Sequence, residues 1–377
     1  MKYTELGRTG LDVSVIGIGT EHMRGQPCET VVPTLRLAVE RGINYFDVIF
    51  AMPEYLDQMG EAFRGLRERV LLAAHLGSTD KGGQYYKTRT VKRCQTSFLD
   101  VLRRLDTEYV DVLFLHNFNA LNDWDRASRS GFLDLAQRLR QQGKTRFLGI
   151  SGHYHELFEM AVESGLVDLI MLPVNLFNHA MPGRGDLLDL CARQKVGVVA
   201  MKPYGGGRLL NKRGSLRVPK YQTSGEAFQV RIASEVTPAQ CLSYVLAQRG
   251  VSVALAGVKN REELAAAIHT LEASEAERDF SGLLADFGRY VEGECTYCNH
   301  CLPCPVVIDI GQINRMLDLA ELGLTASLQA AYATLPVKAS ACTECGACTM
   351  RCPFGVDVVA RMWEAVRVFE GERPVHS

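Results

Sequence analysis

Eight of the chain's 12 cysteines lie in two short runs. The first is Cys295-x2-Cys298-x2-Cys301-x2-Cys304, followed by Pro305. The second is Cys342-x2-Cys345-x2-Cys348-x3-Cys352, followed by Pro353. Three thiolates two residues apart can wrap one [4Fe–4S] cubane corner by corner, and in paired-cluster arrangements the fourth comes from the other run. Cys295, Cys298, Cys301 and Cys352 are therefore expected on one cluster, and Cys342, Cys345, Cys348 and Cys304 on the other. A zinc ribbon would present two CxxC pairs instead. A disulfide framework suits small secreted chains, and the opening MKYTELGRTG has no apolar secretory segment. Cys28, Cys94, Cys191 and Cys241 share no spacing and read as packed thiols. Cluster ligands imply a reducing, cytoplasmic setting.

A second set of reactive residues is scattered along the chain, so a fold must assemble it. Short apolar runs at 13–20, 44–48, 70–76, 111–117, 146–152, 168–175, 196–204 and 251–257 read as strands buried on both faces. Amphipathic stretches between them, at 32–41, 90–105, 133–142, 157–164, 187–194, 238–249 and 261–271, read as helices. Thr237-Pro238 is an N-cap followed by a first-turn proline. Eight strand–helix units in about 270 residues predict an α/β fold, a closed (β/α)8 barrel. An open doubly wound sheet is the alternative, but Gly17-Ile18-Gly19 lacks the third glycine of a dinucleotide loop. The chain then divides into a barrel, 1–290, and a small, mainly helical cluster domain, 291–377, with one clear helix at 310–322.

A barrel of this kind builds its active site at the carboxyl ends of its strands. Those ends carry His22, Asp47, His75, His116, Ser151, Asn175, Lys202 and Lys259. Asp47, His75, His116 and Lys202 would meet in one pocket, where burial and mutual charge alter their protonation. The polar stretch 204–234 is either a lid over that pocket or a surface insertion.

Composition bounds the rest. Of 377 residues, 47% are hydrophobic and 23% charged, and the formal charge is -1. No basic excess points to nucleic acid, and no apolar run is long enough to span a bilayer.

The opening through GIGT at 17–20, NYFDV at 44–48, VDVLFLHN at 110–117, FLGISG at 147–152 and TPAQCLSYVLAQRGVSVALAGVKN at 237–260 resemble the aldo-keto reductases. AMKPYGGGRL at 200–209, with CTYCNHCLPCP from 295, is similar to the branch with a C-terminal ferredoxin-type domain. The resemblance implies NADPH-dependent hydride transfer to a small carbonyl substrate by an Asp, Tyr, Lys and His tetrad. Asp47 fits the Asp and His116 the His. His75 stands at the Lys position and Met52 at the Tyr position, with Tyr55 nearby. Met201 replaces the Tyr that stacks on nicotinamide. Gly257, Lys259 and Asn260 fit the phosphate loop, while Ala266-Ala267 replaces an adenine-binding Glu-Asn pair. Ser151, Asn175 and Gly205 are assigned to the cofactor as well. Without a Tyr at Met52, the proton donor is either Tyr55 or His116, with His75 or Lys202 supplying positive charge.

Hydride transfer moves two electrons and a [4Fe–4S] cluster one. A flavin at the barrel top would convert between them, although no flavin motif is present. Two readings follow. In one, the barrel is an enzyme that reduces or oxidises a small carbonyl-type molecule, using NADPH, the clusters or both. In the other, the barrel has lost that activity and the chain passes electrons to a redox partner protein.

Overall fold

The computed structural model describes residues 1–119, 122–153, 155–179, 181, 183–210, 215–218, 228–231, 235–284, 295, 301–321, 324, 326–352 and 355–371. Eight parallel strands close into a barrel in sequence order. They are β1 (Ile16–Gly19), β2 (Tyr45–Val48), β3 (Leu71–Leu76), β4 (Val110–Phe118), β5 (Thr145–Gly152), β6 (Leu169–Pro173), β7 (Gly197–Met201) and β8 (Val251–Gly257). The expected closed barrel is therefore observed, and the open sheet is excluded.

Around it run α1 (Cys28–Glu40), α2 (Pro53–Phe63), α3 (Val91–Arg104), α4 (Phe132–Gln141), α5 (His155–Glu163), α6 (Arg184–Gln194), α7 (Pro238–Leu246) and α8 (Arg261–His269). The sequence reading lacks α2. Its Pro53 start follows the expected pattern of a first-turn proline. Helix α7 begins at the expected cap: Thr237 Oγ1 accepts from the Gln240 amide at 3.2 Å, and Gln240 Oε1 accepts from the Thr237 amide at 3.0 Å.

Alternation along the strands sorts side chains into two cores. Tyr45, Ala73, Val112, Phe114, Met171, Val199, Val253 and Leu255 fill the barrel interior. Their neighbours, such as Phe46, Leu72, Leu113, Ile170 and Val198, face the helices. Phe114 fits because β5 carries Gly149 opposite it; a Cβ there would lie 2.5 Å from the Phe114 ring. The end of the barrel away from the strand tips is plugged by a hairpin, Tyr3–Glu5 paired with Asp12–Ser14. Its Leu6, Leu11 and Val13 join the interior core. Gly7 permits this seat, since it has φ +58° and a Cβ would fall 2.3 Å from the Gly197 nitrogen.

The sequence reading also missed a second hairpin. Ser78–Lys81 pairs with Gln84–Lys87 between β3 and α3. Its turn, Gly82-Gly83, has φ +65° and +79°, which glycine supplies without strain. Residues 215–218 and 228–231 form a further two-stranded ribbon. Residues 211–214, 219–227 and 232–234 of the stretch read as a lid or a surface insertion, 204–234, lie outside the described residues.

The C-terminal region is mainly helical: α9 (Ile310–Glu321), α10 (Ala326–Ala333), α11 (Ala347–Arg351) and α12 (Val358–Ala365). Ile310, Ile313, Leu317, Met362 and Ala365 are buried between them. Tyr332 stacks on Phe369 at 4.2 Å. Polar contacts join this region to the barrel. Gln84 hydrogen-bonds the backbone of Cys304, and Arg208 approaches Asp318 at 4.0 Å. No helix of the described residues is long and apolar enough to cross a membrane.

Candidate active site

The inward alternation that builds the core ends in polar residues at the strand tips. Tyr45 is followed by Asp47, Ala73 by His75, Phe114 by His116 and Gly149 by Ser151. These four polar residues line one cavity of about 370 Å³. That volume falls in the range of about 300–1,000 Å³ usual for small-molecule sites.

Three of them form a line. His75 Nε2 lies 2.8 Å from Asp47 Oδ1. His75 Nδ1 lies 2.9 Å from His116 Nδ1. The line continues to a residue that sequence reasoning missed: His116 Nε2 lies 2.5 Å from the hydroxyl of Tyr85, on the Gly82-Gly83 hairpin. Tyr85 is buried, lines the cavity and packs edge-on against Phe50. Asn117 Nδ2 donates to the Tyr85 hydroxyl at 3.4 Å. Ser151 Oγ sits 3.4 Å from His75 Nδ1.

Position is held from behind. The Arg89 guanidinium lies over the rings of Phe118 and Phe132, at 4.4 and 4.7 Å. It donates to the carbonyls of His116, at 2.5 Å, and Asn117, at 3.1 Å. Asn117 adopts φ +60°, a left-handed conformation at the end of β4. Residues strained in this way concentrate at functional sites.

Burial holds the His116 pKa well below 6.5, and the neighbouring His75, Arg89, Lys87 and His153 add to the effect. His116 is therefore neutral. Hydrogen-bond order then fixes the tautomers. Asp47, as a carboxylate, accepts from His75 Nε2–H. With His75 neutral, its Nδ1 accepts from His116 Nδ1–H, and His116 Nε2 accepts from Tyr85. With one more proton on His75 the line reverses: Nδ1–H donates to His116, whose Nε2–H donates to the Tyr85 oxygen. The Tyr85 proton then points away from His116.

The other sequence candidates fall in different places. Tyr55 is in the core at α2, absent from the cavity lining; its hydroxyl bonds Thr20, whose Oγ1 donates to the Asp47 carbonyl. Burial raises that phenol's pKa further, to a level unsuited to proton exchange. Lys202 lines the cavity with φ +56°. Gly257, Lys259, Met201 and Ala266 also line it, as does Gly207 rather than Gly205. Asn175 uses its amide locally: its Nδ2 donates to the Lys202 carbonyl and its Oδ1 accepts from the Asn178 amide. Asn260 caps α8 through the Glu263 amide, at 2.9 Å. Neither asparagine lines the cavity.

In the C-terminal region, Cys304, Cys342, Cys345 and Cys348 line one small cavity with Ile308, Ile310, Val359 and Met362. No three described His, Cys, Asp or Glu side chains gather tightly enough for a single metal ion. Four thiols spread around an apolar cavity suit a cubane, whose ligands occupy separate corners. Cys295 accepts a hydrogen bond from Asn314 Nδ2 at 3.4 Å. Cys298 lies outside the described residues. Of the remaining thiols, Cys94, Cys191 and Cys241 are buried, while Cys28 is exposed at the start of α1.

Residues 15–282 match the model of the aldo/keto reductase family, and residues 293–356 match that of the 4Fe-4S dicluster domain. The chain is 30% identical to L-galactose dehydrogenase of Arabidopsis thaliana over 301 residues, covering 71% of this chain and 88% of that protein. It is 29% identical to methylglyoxal reductase YeaE of Escherichia coli (strain K12) over 280 residues, covering 71% and 89%. Among solved structures, aldo-keto reductase AKR11C1 from Bacillus halodurans superimposes with a TM-score of 0.64 at 22% identity, covering 78% of this chain and 98% of that one. That last likeness concerns the fold. Together these matches make the chain a member of the aldo/keto reductase family, an oxidoreductase barrel joined to a 4Fe-4S dicluster domain.

Proposed function

We propose that the barrel, residues 1–290, interconverts a small carbonyl compound and its alcohol. Tyr85 exchanges the proton with the substrate oxygen, and His116, His75 and Asp47 form the relay behind it. The observation that carries this reading is the unbroken hydrogen-bonded line from Asp47 to the cavity-facing Tyr85. A phenol with an ordinary pKa near 10 exchanges protons slowly near neutrality, and a base in direct hydrogen-bond contact supplies the missing driving force.

The relay works in both directions. During alcohol oxidation Tyr85 accepts the substrate proton as its own passes to His116 Nε2. The His116 Nδ1 proton moves to His75, which ends as an imidazolium beside the Asp47 carboxylate. During reduction the same protons run back and Tyr85 gives one to the carbonyl oxygen. Asp47 stays ionised throughout and stabilises the charge on His75.

NADP(H), when bound, supplies or takes the hydride. Ser151, Met201, Gly257 and Lys259 line the wall that would hold it. In residues 291–377 the ligand sets remain Cys295, Cys298, Cys301 and Cys352 for one cluster, and Cys304, Cys342, Cys345 and Cys348 for the other; the clusters, when bound, supply single electrons. The shared cavity of the second set supports its assignment.

The test uses holoprotein purified without oxygen, NADPH and a panel of small aldehydes. Tyr85→Phe is expected to lower kcat at least about 100-fold, as for loss of a general acid, with NADPH affinity unchanged. Tyr55→Phe is expected to turn over normally. Wild-type turnover in Tyr85→Phe would overturn the assignment.

A further inference from the structure

One wall of the barrel cavity does not come from the barrel. Arg315, on α9 of the iron–sulfur region, lines it together with Lys202 and Lys259. The guanidinium packs close to the strand-tip loop: a Cβ on Gly207 would lie 3.3 Å from Arg315 Nη2. Lys259 follows β8, and Lys202 follows β7. Three cations from three separate elements thus converge on the mouth of one cavity.

Acids share this cavity wall, Glu21 and Glu263 among them, but none forms an ion pair with Lys259 or Arg315 among the described residues. Asp318, one turn along α9 from Arg315, pairs with Arg361 and Arg208. Glu263 accepts the Lys259 backbone amide at 2.9 Å. Asp47 pairs with His75 at the cavity floor. Glu21 lies beside His22 and also lines the cavity. Among the described residues, neither Lys259 nor Arg315 has an acid within ion-pair distance. Mutual repulsion is visible: burial lowers the Lys259 pKa and Arg315 lowers it further, against Glu263. Burial likewise lowers His22; Glu21 opposes that effect, while Arg315, Lys259 and Lys202 reinforce it. Half-buried like charges that repel one another favour the arrival of an anion.

We propose that Arg315 closes an anion site with Lys259 and Lys202, shared between the iron–sulfur region and the barrel, for the phosphate or carboxylate of a small molecule held in the cavity. This rests on the reading of the cavity as the reaction site and names its ligand class. Guanidinium suits the role because its planar fork matches both oxyanions. Of these three cations the family resemblance gives a phosphate contact to Lys259 alone; Arg315 is the added part. The anion belongs either to the cofactor or to the substrate.

The experiment is a calorimetric titration of oxygen-free holoprotein with inorganic phosphate at low ionic strength. Wild type is expected to bind one phosphate per chain, and Arg315→Gln to bind it at least tenfold more weakly. Lys259→Gln alters the barrel side alone and is expected to show a similar loss, which separates lost charge from a disturbed α9. No binding by wild type, or wild-type affinity in either variant, overturns the proposal. Competition then identifies the source. If NADPH displaces phosphate and loses more affinity than NADH in Arg315→Gln, the anion is the cofactor's phosphate. If glyoxylate displaces phosphate while NADPH binds beside it, the anion is the substrate's. If neither displaces it, phosphate sits elsewhere and the proposal fails. All these readouts are independent of turnover. An intact anion site in a protein inactive toward every carbonyl would therefore count against the reductase reading alone.

Discussion

Gln84 holds the backbone of Cys304 from both sides. Its Nε2 donates to the Cys304 carbonyl at 3.3 Å, and its Oε1 accepts from the Cys304 amide at 3.2 Å. The next residue in the chain is Tyr85, whose hydroxyl ends the relay in the barrel. A cysteine proposed as a cluster ligand and a tyrosine proposed as a proton donor are thus fixed by one hairpin strand.

Gln84→Ala is expected to disturb both ends of that strand. Two hydrogen bonds at about 1 kcal/mol each are lost. The expected result is a modestly lower Tm together with a changed electron paramagnetic resonance signal from one cluster. A change in neither would separate the hairpin from the cluster.

Asp47→Asn removes the fixed acceptor for His75 Nε2–H and its balancing charge. An amide can also donate, which allows the wrong His75 tautomer. By analogy with the acid of a hydrolase triad, kcat is expected to fall about 100- to 10,000-fold, with KM for NADPH little changed. An equal loss in kcat and nucleotide affinity would point to collapse of the cavity instead.

Cluster pairing has a direct test in counted iron. Cys304→Ser and Cys345→Ser should remove the same cluster, and Cys352→Ser the other, each taking iron from about eight to about four per chain. Complementary resonance spectra from Cys304→Ser and Cys352→Ser are expected; identical spectra would break the assignment.

Asn314 is fully buried and donates to the Cys295 sulfur, while its Oδ1 has no partner among the described residues. Donors to ligand sulfur raise a cluster's potential. Asn314→Leu is expected to lower one midpoint potential by about 20–60 mV, the equivalent of one hydrogen bond of about 0.5–1.5 kcal/mol. Unchanged potentials would mean the bond has no electronic effect.

Stability should weaken in mild acid. His116 stays neutral in the folded chain because burial holds its pKa well below 6.5. The unfolded chain binds that proton below about pH 6.5. Folding therefore loses up to about 1.4 kcal/mol per pH unit from this residue as pH falls through that range, and nothing above it. Oxygen-free denaturant titrations from pH 7.5 to 5.5 should show the decline, and His116→Gln should flatten it.

Much of the barrel was legible because strands buried on both faces are short apolar runs, and helices with one wet face are periodic. The strand-tip residues Asp47, His75 and His116 were legible for the same reason: each interrupts or ends such a run. Tyr85 is not legible from the strand–helix repeat, because its hairpin is an insertion between β3 and α3. The signal was present: Gly82-Gly83 between Ser78–Lys81 and Gln84–Lys87 is a two-residue hairpin turn. Tyr55 misled through nearness in sequence to Met52, yet α2 turns its hydroxyl toward Thr20. Arg315 could not be read, because no local pattern reveals that a helix 56 residues after Lys259 returns to the same cavity.

That return has a consequence for inheritance and for dissection. Helix α9 supplies Arg315 to the cavity wall, and Cys304 braces the hairpin that carries Tyr85. A barrel cut free near residue 290 would lack both its roof and its brace. In this chain the two regions are not a barrel with a detachable wire: a descendant that lost the second would open one wall of the cavity and release the hairpin that carries Tyr85.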